Sequence, residues 1–276
     1  MNELGFDLSS YETISPDWPL AYSRGVRFVT IRASSGLSAD TMFAQHSAGA
    51  IAAGVGVMAY HWYNFAQHDP VGQAKAFLAS DKSGNMLPML DLESYGTNVP
   101  NSALISELRQ WLDYVEQATG CKASIYTNPS FIKSYLTGQS WLKDYPLIIA
   151  HPESAAPLIY PPYIPGHELA WQYTFKEPPA WYGVKDTNEV AMYVARNPLP
   201  WVDWTATIPQ PPASQPYQTT ANLNVRTGPG SSYAIVGTLP LGTVVNVFEQ
   251  ASGWARHDGG ATGKAGWSSL TYLKKL

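Results

Sequence analysis

Short apolar runs alternate with segments of helical spacing over the first two-thirds of the chain. LGFD (residues 4–7), RFVTIR (27–32), VGVMAYHW (55–62), MLPMLDLE (86–93), KASIYT (122–127), PLIIA (146–150) and ELAWQY (168–173) are rich in β-branched and aromatic residues and have strand length. Between them, Leu104, Leu108, Leu112 and Val115 recur at helical spacing, which predicts a helix from Ser102 to Thr119 stopped by Gly120. Strand–helix alternation implies a parallel sheet, either closed as a barrel or open and doubly wound. Helical spacing fades after about residue 140 while strand runs persist, so a barrel lacking its late helices fits better.

The pattern changes at the segment from Asn197 to Pro216, which holds six prolines. Proline removes backbone donors and disfavours helix in the preceding residue, so this stretch reads as a semi-rigid linker. Beyond it, NLNVRTG, AIVGTLPLGTVVNVFE, GWARH and AGWSSLTYLKKL are β-rich runs broken by Gly, Pro and Ser, the pattern of a small all-β barrel. Three parts are expected: residues 1–198, a linker over 199–216, and a module over 217–276.

Charge follows the same division. The whole chain carries a net −4, yet residues 217–276 hold five Lys and Arg against two acids, Glu249 and Asp258. The acidic balance of the larger part argues against nucleic acid as a partner, while the basic module suits an anionic surface as readily as it suits a solvated face. One cysteine, Cys121, excludes an internal disulfide, and the six histidines lack the paired spacings of a zinc site, so no metal or other cofactor is expected. No apolar run reaches the ~20 residues of a membrane span, and the N-terminus lacks the basic and apolar regions of an export signal. Gly54-Val55-Gly56 precedes a strand instead of following one, so it is no dinucleotide fingerprint, and no GxSxG elbow occurs.

The chemistry concentrates in PMLDLES, residues 88–94. Alternation along a strand puts Asp91 and Glu93 on one face, about 6.6 Å apart along the backbone. Two acids in a shared, partly apolar setting do not both ionise readily, so one keeps its proton as a general acid while the other stays charged, the basic equipment for glycosidic cleavage. Taken alone, the fragment reads more simply as two solvated acids at a strand end. Asp7 ends another strand run and Asp186 (in GVKDTNEV) lies in a late one; in a parallel barrel the C-terminal strand ends would gather Asp7, Asp91, Glu93 and Asp186 at one opening. Tyr60, Trp62, Tyr126, Trp171 and Tyr173 occupy comparable places and would supply walls on which sugars stack.

In chain order, GFDLSSYE, FVTIRASSG, AGVGVMAYHWY, LPMLDLES, SIYTNPSF, LAWQYT and DTN resemble glycoside hydrolase family 25, the muramidases of bacteria and phages, over residues 4 to about 195. The resemblance implies an incomplete barrel of eight strands with about five helices. It also implies cleavage of the β-1,4 bond between N-acetylmuramic acid and N-acetylglucosamine. It makes Glu93 the general acid/base and the deepest carboxyl, Asp91 its partner, Asp7 an acid on the first strand and Asp186 a fourth acid near the scissile bond. The substrate's N-acetyl group would attack the anomeric carbon, oriented by Asp91 or Asp186; a carboxylate nucleophile or an inverting water stays open. The chain departs from the commoner pattern at Ser35, where a charged or amide residue is usual, and at His151-Pro152. Residues 217–276 resemble the bacterial SH3-like domain, which implies a cell-wall peptide or polysaccharide as ligand, with Trp254 and Trp267 in its core and Tyr233 and Arg226 as candidate contacts. The combined reading is a modular peptidoglycan hydrolase, a phage endolysin or bacterial autolysin. It would wait in the host cytoplasm until released to the wall, or work extracellularly. A decayed barrel that only binds wall and a hydrolase of another glycan such as chitin are its rivals.

Overall fold

The computed structural model describes residues 3–80, 84–93, 101–177, 190–199, 215–262, 264 and 266–276. These fall into two compact units, one of residues 1–63, 76–95 and 121–208, the other of 64–75, 96–120 and 209–276.

The first unit holds a closed barrel. Strands β1 (Leu4–Leu8), β2 (Val26–Ser35), β4 (Gly56–Trp62), β5 (Met89–Leu92), β6 (Ser124–Thr127), β7 (Leu147–Ala150) and β8 (Ala170–Glu177) run parallel in that order, and β9 (Val190–Ala195) closes the ring antiparallel to both β8 and β1. A two-residue strand, β3 (Ser38–Ala39), folds back on the end of β2. This is the expected eight-stranded mixed barrel, with seven of the eight strands foreseen from apolar runs.

Alternation explains the lining. In β1 (LGFDL), Phe6 and Leu8 are buried beneath the outer layer, where Phe6 stacks on Trp18 at 5.8 Å, while Gly5 and Asp7 take the other face. Gly5 is required there, because a Cβ would lie 2.4 Å from the Phe28 ring. That ring packs with Met58, Met89, Tyr126, Ile148 and Tyr193 into an apolar barrel interior, which leaves the acids at the C-terminal strand ends above it.

Helices α1 (Trp18–Ser23), α2 (Phe43–Ala52), α3 (Pro70–Ser80), α4 (Asn101–Thr119) and α5 (Pro129–Phe131, running on as a π turn to Leu136) join the strands. Their ends follow local chemistry. The Asp17 carboxylate accepts from the Leu20 N–H at 3.1 Å with Pro19 in the first turn, and Asn128 caps α5 by accepting from the Phe131 N–H at 2.9 Å. Leu104, Leu108, Leu112 and Val115 of α4 are fully buried, as their spacing predicted, and Gly120 ends the helix at φ 70°. No helix among the described residues is long and apolar enough to cross a membrane.

The second unit contains an antiparallel sheet of β10 (Gln215–Thr219), β11 (Leu223–Arg226), β12 (Ile235–Leu239), β13 (Val244–Ala251), β14 (Trp254–His257), β15 (Gly266–Ser269) and β16 (Leu273–Lys275), in the order β12-β11-β15-β14-β13-β10-β16. Its core is Tyr217, Leu223, Val225, Leu239, Val245, Val247, Ala255 and Leu273. Aliphatic side chains therefore fill the module; Trp267 is buried at its margin and Trp254 only half-buried, so the two tryptophans are not its principal filling. Tyr233 is exposed, and its carbonyl accepts from the Arg226 guanidinium at 2.7 Å.

Candidate active site

An open cavity of about 410 Å³ lies at the C-terminal ends of the strands. Asp7 and the turn after β1 (Ser9, Tyr11, Glu12) form one side; Arg32 and Ser35 of β2, Tyr60 and Trp62 of β4, and Asp91 and Glu93 of β5 form the rest. Strand register assembles it: Trp62 lies beside Asp91, and Asp91 beside Tyr126, on adjacent strands.

Asp91 is the last inward residue of β5 and is 5% exposed, whereas Glu93 stands one residue beyond the strand end and is open to solvent. This reverses the depth expected from resemblance, in which Glu93 was the deepest carboxyl. Burial pushes the Asp91 carboxyl well above the ordinary carboxylate range, helped by the charge of Glu93, by its hydrogen bond with Glu93 and by Asp7, and opposed by Arg32. Burial also raises Glu93, against the hydrogen bond from Asp91 that favours its charged form. Asp91 is thus the harder of the two to ionise, and the pair shares a proton along the hydrogen bond to Glu93. Asp91 Oδ1 is buried with no hydrogen-bond partner among the described residues.

Asp7 faces the pair across the cavity. Burial pushes its pKa up to about 7, the charges of Glu12 and Glu93 add to the rise, and a hydrogen bond from Tyr193 opposes it. Tyr193 Oη donates to Asp7 Oδ2 at 3.1 Å and Gln172 Nε2 approaches the same oxygen at 3.4 Å. Neither residue was singled out from sequence. Gln172 does sit between two that were, Trp171 and Tyr173, and alternation places it on the opposite face of β8 from both.

The cavity's only lining cation, among the described residues, is committed. Arg32 Nε donates to Asp40 Oδ2 at 2.7 Å and its second terminal nitrogen to Ser10 Oγ at 2.8 Å, while the Ser10 N–H also bonds Asp40 at 3.0 Å. The guanidinium lies 5.0 Å from the centre of the exposed Tyr11 ring. Glu12 is held by the N–H and hydroxyl of Ser9, at 2.8 and 3.1 Å. These contacts fix the β1 turn as one wall.

Of the predicted site residues, the structure brings together Asp7, Asp91, Glu93, Tyr60 and Trp62. Tyr126 is 5% exposed with its hydroxyl bonded to Gln172, beneath the cavity instead of on its surface. Trp171 and Tyr173 pack edge to face with each other at 6.1 Å, the Trp171 indole N–H donates to the His151 carbonyl, and neither lines the cavity. Asp186 lies outside the described residues. Ser35, the departure from the commoner pattern, lines the cavity as a small neutral group. Among the described residues no group of three or more His, Cys, Asp and Glu side chains is arranged to hold a metal ion.

A closed barrel with a hydrogen-bonded carboxyl pair, a third acid and two aromatic walls at its C-terminal mouth defines a glycosidase. The comparisons place it more closely. The model for glycosyl hydrolases family 25 matches residues 6–179 and that for the bacterial SH3 domain matches residues 221–274. The chain belongs to glycosyl hydrolase family 25 and is a glycoside hydrolase of the lysozyme type. It is 33% identical over 184 residues to an N,O-diacetylmuramidase from Chalaropsis sp, covering 61% of this chain and 86% of that protein. The bacterial lysozyme from Streptomyces coelicolor has a similar structure, with a TM-score of 0.63 at 21% identity, over 71% of this chain and 93% of that one. The catalytic domain of an endolysin from a Listeria monocytogenes bacteriophage matches with a TM-score of 0.56 at 23% identity, over 71% and 93%. At those identities the two structures speak to fold alone.

Proposed function

We propose that the chain cleaves the β-1,4 bond between N-acetylmuramic acid and N-acetylglucosamine in bacterial peptidoglycan, with Glu93 as the proton donor. The observation that carries this reading is the hydrogen-bonded Asp91–Glu93 pair, one acid deep and one at the rim of a cavity of about 410 Å³. Both line the cavity, and Glu93 is the one exposed at the rim where a leaving oxygen would sit. As substrate covers the rim, Glu93 loses water, takes the shared proton from Asp91 and delivers it to that oxygen. Asp91, now ionised, accepts from the acetamido N–H at the cavity floor and orients the acetamido oxygen toward the anomeric carbon. That oxygen forms the new bond as the glycosidic bond breaks; water, deprotonated by Glu93, then opens the cyclic intermediate with net retention. Tyr60 and Trp62 stack on sugar faces, and Asp186 is a fourth acid in this scheme.

Residues 1–198 form the catalytic part in this reading, 199–216 the linker, and 217–276 the module that holds a wall peptide or polysaccharide. The enzyme works at the cell wall, in the manner of an endolysin or autolysin. Mass spectrometry of digested wall tests the bond: each new reducing end should be N-acetylmuramic acid, and reducing-end N-acetylglucosamine would overturn the assignment.

A further inference from the structure

Four inward side chains on four different strands form one hydrogen-bond chain beneath the cavity. Tyr126 Oη (β6) donates to Gln172 Oε1 (β8) at 2.9 Å; Gln172 Nε2 donates to Tyr193 Oη (β9) at 2.9 Å and approaches Asp7 Oδ2 (β1) at 3.4 Å; Tyr193 Oη donates to the same Asp7 oxygen at 3.1 Å. Gln172 is fully buried, Tyr193 is 1% exposed and Tyr126 5%. The proton count gives the chain a direction. A phenol has one proton and a primary amide two, and here every one of them points along the chain toward Asp7, which as a carboxylate only accepts. Turning the Gln172 amide over would face its oxygen to Asp7 and leave a buried acceptor against an acceptor, so the Tyr126 hydroxyl locks the amide by occupying its oxygen.

We infer that Gln172 and Tyr193, locked by Tyr126, are positioning residues that fix Asp7 as a hydrogen-bond acceptor turned into the cavity. The inference rests on the proposed glycan-cleaving site, where such an acceptor takes a sugar hydroxyl or amide proton. The surroundings explain why three donor groups are assembled on it. Asp7 is desolvated; Glu12 from the β1 turn and Glu93 from β5 oppose its ionisation, Asp7 in turn raises Asp91 of β5, and Tyr60 of β4 adds no charge. Arg32 of β2 is tied to Asp40. The Ala191 N–H and the donors from β8 and β9 are what favour the carboxylate.

Tyr193→Phe keeps the ring that packs on Phe28 at 6.2 Å and on Tyr126 at 6.4 Å while removing the donor. Loss of a hydrogen bond to a charged group should move the midpoint of Asp7 upward by about one pH unit. In the pH profile of kcat the acid limb should shift the same way, with activity roughly tenfold lower on the acid side, recovery toward higher pH and little change in KM. Gln172→Met should act similarly, and Tyr126→Phe, one bond further from Asp7, less. A structural role would instead lower activity by the same factor at every pH, in proportion to lost thermal stability. Carboxyl carbon NMR titration of Asp7 in the full chain reads the effect without any turnover, so it separates this inference from the identity of the substrate. An Asp7 titration unchanged by Tyr193→Phe in a folded protein would overturn it, whatever glycan the enzyme cleaves.

Discussion

The Asp7→Asn variant should be nearly inactive and yet, in alkaline solution, more stable than the wild-type chain. In the folded state burial raises Asp7 from its ordinary value of 3.8 to about 7. The sign follows from linkage: a carboxyl whose folded pKa lies above its unfolded value contributes stability below pH ~4 and loses it as pH rises through about 7. A gap of about three pH units, at about 1.36 kcal/mol each, means that ionising Asp7 costs the native state at most about 4 kcal/mol by pH 8. Asparagine escapes that cost, although its amide faces the Tyr193 and Gln172 donors and loses part of the gain. Comparing the two proteins at pH 4 and pH 8 cancels the loss, because the hydrogen-bond rearrangement is present at both. Calorimetry should show the melting difference between variant and wild type moving in the variant's favour by as much as about 8–16 °C between those pH values, given about 2–4 °C per kcal/mol for a chain of this size. A difference that is the same at both pH values would refute the claim that the site stores this electrostatic cost.

Three further outcomes are expected. Trp62→Ala should raise KM by roughly tenfold with a smaller change in kcat, since it removes a stacking wall and no charge; steady-state kinetics on soluble glycan fragments checks the division. A chain ending near Asn197 should cleave such fragments while binding whole walls more weakly, which sedimentation with purified walls measures. In the C-terminal module His257 is fully buried, its Nδ1 accepts from the Gly259 N–H at 3.1 Å and its other nitrogen pairs with Ser268 at 2.8 Å. Burial lowers its pKa from 6.5 to about 4, so its stabilisation is present above pH ~6.5 and lost as pH falls through about 4, about 3 kcal/mol in all. Hydrogen exchange in the full chain should show residues 215–276 opening more readily at pH 4 than at pH 7, a trend opposite to the one that Asp7 imposes on the barrel.

The barrel was legible because its strands are buried on both faces and read as continuous apolar runs, such as LIIA and MLDL, whatever their tertiary partners. The acid pair was legible for a similar reason: a spacing of two needs only the strand period to put Asp91 and Glu93 on one side. Depth was not legible. Whether β5 ends before or after Glu93 decides which acid is buried, and strand boundaries depend on neighbouring strands more than on local sequence. Gln172 and Tyr193 escaped notice because an amide and a phenol acquire their role only from Asp7, at the far end of the sequence. The aromatic neighbours Trp171 and Tyr173 drew attention on size, yet the same alternation that made β8 recognisable turns them away from the face that carries Gln172. In the small module, the tryptophans stood out by volume, while the core is assembled from Leu and Val residues of several short strands.

The central claim is that Glu93, at the rim, transfers the proton it shares with buried Asp91. Its most direct test is the rate at which the Glu93→Gln variant releases soluble fragments from purified peptidoglycan, measured beside circular dichroism of the same preparation. Glutamine keeps the shape and removes the transferable proton, so the rate should fall by about 10²–10⁴ with the fold unchanged. A folded Glu93→Gln enzyme that digests walls at near the wild-type rate would contradict the mechanism.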